Sequence, residues 1–210
     1  MLDYVRDPAE IYRQSFAIIR AETDLSRVPD DLAEVVIRIV HAAATPGIVA
    51  DLAWTPDFAA AARTALEKGA PILTDTRMVS EGIIPRRLPA GNPVICSLYD
   101  AGIPDHAKRI GNTRSAAAVD LWGEKMNGAV IAIGNAPTAL FRLLEILAET
   151  SDGPRPAAIL GFPIGFVGAA ESKEALIDAD LGIPYLALRG RRGGSALAAA
   201  AINALGRSVD

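Results

Sequence analysis

Five short, unbroken apolar runs mark the chain from residue 71 onward: PILTD (71–75), PVICSLYD (93–100), AVIAIGN (129–135), AAILGFP (157–163) and YLALRG (185–190). A strand with one wet face alternates apolar and polar residues, whereas a strand covered on both faces is apolar throughout. Such runs separated mostly by helical patterns predict a parallel sheet with helices on both sides. The expected fold is α/β, a three-layer α/β/α sandwich with a mainly parallel five-stranded sheet, flavodoxin-like in its winding.

The first seventy residues read differently. Three helical patterns, Pro8 to Glu22, Asp30 to Ala44 and Pro56 to Lys68, each open on Asp or Thr with a proline nearby. Those residues suit helix starts. We therefore expect one domain over residues 1–210, with a helical N-terminal segment (about 1–70) packed on the sheet. The stretch SDGPRP (151–156) resembles a linker but suits a helix-to-strand loop equally.

Composition excludes several partner classes. With 21 Lys+Arg against 25 Asp+Glu the net charge is −4, so no basic field is available for nucleic acid. The N-terminus MLDYVRDPAEIYRQ lacks the apolar core of a signal peptide, and no apolar run reaches the ~20 residues a membrane helix needs. A cytoplasmic protein with no membrane partner is expected. One cysteine and two histidines cannot supply a zinc-type ligand set, so no metal is expected. Cys96, inside PVICSL, reads as a buried structural thiol.

Four glycine-bearing turns share a local design: IGNTRSAAA (110–118), IGNAPTAL (133–140), GFPIGFVGAAESK (161–173) and RGRRGGSAL (189–197). Each places glycine and a small or hydroxylated residue before an alanine-rich helix, where unpaired N–H groups favour phosphate or carboxylate. In an open parallel sheet such turns gather at the carboxyl edge, where ligands bind. Asn112, Thr113, Arg114, Lys173, Arg189, Arg191, Arg192 and Ser195 are the candidate anion donors. Neither GxxxxGK[ST] nor GxGxxG after a first strand is present, which removes support for ATP, GTP and NAD. FMN is disfavoured as well, because PILTD leads into TRMVSEG rather than a Ser/Thr/Gly phosphate loop. A poly-anion held by scattered donors fits better.

On the second helix Leu32, Val35, Val36, Ile39, Val40 and Ala43 form the apolar stripe. His41 falls nearly opposite its centre, beside Glu34 and Arg38, so it faces water or a wet cleft. Arg38 at i−3 would bring an anionic group close to the imidazole, a ready proton donor or acceptor. The pattern alone leaves both a solvated surface histidine and an acid/base open. His106, in GIPDHAKR, reads as surface in a proline-flanked loop. No serine sits in a nucleophile elbow, so one-histidine acid/base chemistry is the simplest catalytic reading.

Taken in order, YxxSFAIIRAE (12–22), RIVHA (38–42), APILTDTRMV (70–79), GNTRSAAA (111–118), AIGNAPTALFRLLE (132–145), ILGFPIGFVGAAESK (159–173) and RGRRGGSA (189–196) strongly resemble the precorrin-8X methylmutase family, over about residues 8 to 206. The resemblance implies an isomerase that moves a methyl group from C11 to C12 of precorrin-8, giving hydrogenobyrinic acid in cobalamin biosynthesis. It implies no cofactor, and a homodimer with sites near the subunit interface. His41 matches the family's proton donor or acceptor, and Ser15, Arg38 and Arg114 match substrate positions. The substrate could be precorrin-8 or its cobalt form, and hand-over of product to the next enzyme is left open. A non-catalytic tetrapyrrole carrier and a flavodoxin-like electron carrier are the rival readings. In one respect the chain departs from the family pattern: members often carry Cys or Thr and then Gly after the HA, whereas Ala43 and Ala44 follow here.

Overall fold

The computed structural model describes residues 2–150 and 152–207; Ser151, which opens the linker-like SDGPRP, lies outside them. The chain runs α1 (Pro8–Glu22), α2 (Asp30–Ala43), β1 (Leu52–Trp54), α3 (Phe58–Glu67), β2 (Ile72–Thr74), α4 (Arg77–Gly82), β3 (Val94–Ile95), α5 (Ile103–Ile110), α6 (Arg114–Asp120), β4 (Val130–Ile133), α7 (Pro137–Glu149), β5 (Ala158–Gly161), α8 (Ala169–Asp178), β6 (Tyr185–Leu188) and α9 (Ser195–Leu205). The helix starts obey local chemistry. Asp7 caps α1, its carboxylate accepting from the Ala9 N–H, and Pro8 occupies the first turn.

The described strands form one sheet in the order β1-β6-β5-β4-β2-β3. The five expected strands pair in parallel, and a sixth, β1, lies antiparallel on the β6 edge with Leu52 opposite Leu188. The expected count of five is thereby corrected, while the parallel part keeps the doubly wound order with its switch point between β2 and β4. β1 has only three residues and borders water on one edge, so it carries no long apolar run. The β3 run is likewise shorter than PVICSLYD suggests, because a 3-10 turn at Ser97–Tyr99 ends it. Since β3 is the far edge of the sheet, Cys96 is half-buried rather than enclosed.

The pleat divides the strand residues between two cores. Ile72, Val130, Ala132, Ala158, Leu160, Leu186 and Leu188 face α2, α3, α4 and α9. Leu73, Ile131, Ile133, Ile159 and Ala187 face α7, α8 and the Val119 end of α6. Each fully buried Val, Leu or Ile stabilises by roughly 1.5–3 kcal/mol, so very short strands suffice when both faces are covered. α1 lies along the outer side of α2 and buries only Phe16 of its own residues. Ile37, outside the expected stripe, is buried too, since helices flank α2 on more than one side.

Candidate active site

His41 is exposed in the last turn of α2, and its ring stacks on Phe16 of α1 with centroids 4.9 Å apart. Phe16 in turn stacks on Tyr12 at 4.3 Å. The Arg38 guanidinium lies 4.6 Å from the Phe16 ring and 5.1 Å from the Tyr12 ring, and donates to the Tyr12 hydroxyl. Burial is the main effect pushing the Arg38 guanidinium below its ordinary value, and the charge of the buried Arg87 adds to it. Among the described residues neither arginine has a carboxylate partner. Glu34, on the same face, is occupied by Arg20 at 2.7 Å. Ser15 is half-buried one residue before Phe16. The result is an aromatic shelf with an open imidazole at one end and the Arg38 guanidinium over its rings, which suits a flat, carboxylated ligand.

Directly after the histidine, Ala44 caps α2 in the left-handed conformation with φ 49°. It is the one non-glycine residue with positive φ among the described residues. A Cβ there costs roughly 1–2 kcal/mol, and glycine is the usual solution. The departure noted in the sequence therefore falls on a position whose left-handed backbone glycine adopts without penalty.

At the switch point the N–H groups that open the turn IGNAPTAL are held from within the chain. Asp75, at the end of β2, accepts from the N–H groups of Gly134, Asn135 and Ala136 at 2.9, 2.9 and 2.7 Å. The chain's own carboxylate fills this turn's anion nest. Burial pushes the Asp75 carboxyl up, against the pull of the three N–H groups. Its signal in the sequence, an acidic residue closing the first parallel strand, becomes legible only once β2 and β4 are known to be neighbours.

The next two turns are stitched to each other. Gly194 N–H donates to the Phe162 carbonyl and Gly165 N–H to the Arg191 carbonyl. Lys173, fully buried on α8, donates to the carbonyls of Pro163 at 3.0 Å and Arg192 at 2.6 Å. It is therefore a tie between loops rather than a group offered to ligand, and burial lowers its pKa to about 8. Arg189 is engaged by Glu174 and Arg192 by Asp51, which takes both out of the set of free donors. Ser195 opens α9 and is buried. Arg191 remains exposed, 5.4 Å over the ring of Phe166. Phe166 and Val167 are 83% and 89% exposed, an apolar loop tip that sequence reasoning passed over.

The turn between α5 and α6 keeps Asn112, Thr113 and Arg114 exposed. Asn112 accepts from the Thr113 N–H, and the Thr113 hydroxyl caps α6 while bonding Thr138 of α7 at 2.7 Å. His106 lies on α5, not in a surface loop, and is partly buried against Asp120 at 2.6 Å. Pro104 sits in the first turn of that helix, which explains why the segment read as a loop.

Three groups of candidate residues result: Ser15, Arg38 and His41 on α1 and α2; Asn112, Thr113 and Arg114 on the α5–α6 turn; Arg191 at the exposed loop. The first belongs to the layer on one face of the sheet and the second to the layer on the other. No hydrogen bond, ion pair or ring contact among the described residues joins them.

Comparison with known proteins gives a consistent set of similarities. The precorrin-8X methylmutase family model matches residues 10–208. The chain is 56% identical over 205 residues to the precorrin-8X methylmutase of Pseudomonas aeruginosa, covering 98% of each chain. It is 38% identical to the cobalt-precorrin-8 methylmutase of Salmonella typhimurium, covering 97% of each. Among solved structures, a precorrin-8x methyl mutase from Thermus thermophilus superposes with a TM-score of 0.83 at 36% identity, over 94% of both chains.

Proposed function

The chain belongs to the precorrin-8X methylmutase family and is an isomerase of cobalamin biosynthesis, and we propose that His41 is its acid/base group in the C11-to-C12 methyl migration that gives hydrogenobyrinic acid. The observation carrying this assignment is the open imidazole stacked on Phe16 beside Arg38. A methyl shift within one molecule changes no atom count and needs no redox partner. The protein has only to hold one tautomer of the macrocycle and give or take a proton as the π-system rearranges. His41 gives or takes that proton and recovers its starting form by the end of the isomerisation, the Phe16–Tyr12 shelf supports the ring, and Arg38, with Ser15 nearby, takes a peripheral carboxylate. Arg114 with Asn112 and Thr113, and Arg191 beside Phe166, meet the remaining carboxylates. Lys173 and Arg189 act indirectly, by holding the loops that present Arg191, and Ser195 starts the helix that follows them.

Because the His41 and Arg114 groups lie on opposite sides of the sheet, the reading requires a homodimer in which one chain's histidine works with its partner's Arg114. A two-fold interface presents each group once to each site. The 56% identity to a protein named for precorrin-8X, against 38% to one named for cobalt-precorrin-8, favours the metal-free substrate. Among the described residues no helix is long and apolar enough to cross a membrane, and a cytoplasmic location belongs to the same reading.

Mixing subunits tests it. His41→Asn and Arg114→Ala chains, each impaired alone, are co-refolded at equal amounts and assayed below saturation. A shared site gives heterodimers with one intact centre, and activity returns to about a quarter of wild type. No recovery would mean that each site is built from a single chain.

A further inference from the structure

His106 and Asp120 lie outside the groups assigned above, yet they anchor the segment that carries one of them. Asp120, the last residue of α6, accepts from His106 Nε2 of α5 at 2.6 Å and from Arg142 Nε of α7 at 2.6 Å. Arg109, one turn along α5, donates to His106 Nδ1 at 2.8 Å. With Nδ1 accepting, the proton sits on Nε2 and is donated to the carboxylate. Arg142 also reaches Glu145 at 3.1 Å. At the other end of α6, Thr113 bonds Thr138, which lies four residues before Arg142 and so on the same side of α7. α6 is thus pinned to α7 at both ends, and α5 is tied to its far end through the imidazole.

The apolar packing beneath this polar relay is thin. Only Ile103, Ala107, Ala117 and Ala118 are buried in the local cluster between α5 and α6. Small alanine faces allow two helices to slide, whereas charge-assisted hydrogen bonds have one geometry. The two helices are joined by Gly111, Asn112 and Thr113, so their mutual angle decides where Arg114 points.

We propose that His106 is a positioning residue for substrate binding: through Asp120 it fixes the α5–α6 turn and thereby aims Arg114 at a substrate carboxylate. The inference rests on the assignment of Arg114 as a substrate residue.

A double-mutant cycle on product binding tests it, with hydrogenobyrinic acid titrated into wild-type protein, His106→Ala, Arg114→Ala and the double variant. His106→Ala is expected to weaken binding roughly tenfold, about the worth of one charge-assisted hydrogen bond. Turnover of saturating substrate should change little. In the Arg114→Ala background the same substitution should have almost no effect, because the group it aims is gone. His106→Gln keeps an N–H donor for Asp120 and should restore most of the affinity, which also guards against a folding defect in the alanine variant. Equal losses from His106→Ala in both backgrounds would show a merely structural role and overturn the proposal. Wild-type binding by His106→Ala, with Arg114→Ala weakened, overturns it alone. Wild-type binding by Arg114→Ala overturns the assignment of that arginine and the proposal with it.

Discussion

Replacing Lys173 with methionine should remove a pH dependence of stability that the wild-type protein carries. The ammonium is fully buried and burial lowers its pKa from the ordinary 10.5 to about 8, with Glu174 opposing weakly. Between those values the unfolded chain holds the proton and the folded chain does not. The unfolded state binds more protons, so stability rises with pH across that window. The full difference corresponds to about 3 kcal/mol. From about pH 7.5 to about pH 9.5 this one group should contribute about 2 kcal/mol of added stability. Burial also raises the Tyr185 phenol, which makes stability fall at higher pH, so the scan stops short of that titration. Urea unfolding at intervals of pH gives the curve for wild type and Lys173→Met. The wild type should gain about 2 kcal/mol relative to the variant over the range. Parallel curves would refute the claim that Lys173 is a buried, desolvated tie between the Pro163 and Arg192 carbonyls.

Three further substitutions follow from the geometry. Asp75→Ala strands the Gly134, Asn135 and Ala136 N–H groups inside the protein and should cost about 3–5 kcal/mol by urea unfolding; a loss below about 1 kcal/mol would show that water or a shifted turn satisfies them. Ala44→Gly relieves the left-handed alanine and should stabilise by about 1 kcal/mol, raising the melting temperature by roughly 2–4 °C, whereas a lower melting temperature would contradict it. Arg38→Ala should weaken product binding by roughly ten- to a hundredfold while slowing bound substrate much less, and unchanged affinity would remove Arg38 from the substrate site.

Where local chemistry decides the outcome, the sequence was legible. Asp7 followed by Pro8 marks the start of α1, and five continuous apolar runs mark the strands that are covered on both faces. The face of α2 that carries His41 follows from helical spacing and is observed as expected. What failed to show depends on depth or on neighbours distant in sequence. Lys173 and Arg189 present charge in the sequence but not the carbonyls and carboxylate that occupy them. Asp75 closes a turn that belongs to another strand, so its role follows from strand order, which periodicity does not contain. β1 is too short and too near an edge to leave a pattern. The aromatic partners of His41 fall inside the family-like block YxxSFA, yet only their stacking geometry makes the histidine part of a surface.

The most direct test of the account is turnover of precorrin-8 by the purified protein and by its His41→Asn variant, followed by absorption and product mass together, with product affinity measured in parallel. Wild type should convert the spectrum to that of a corrin at unchanged mass. The variant should bind with near wild-type affinity and convert at least about a hundredfold more slowly. Full conversion by His41→Asn would contradict the assignment of the acid/base group.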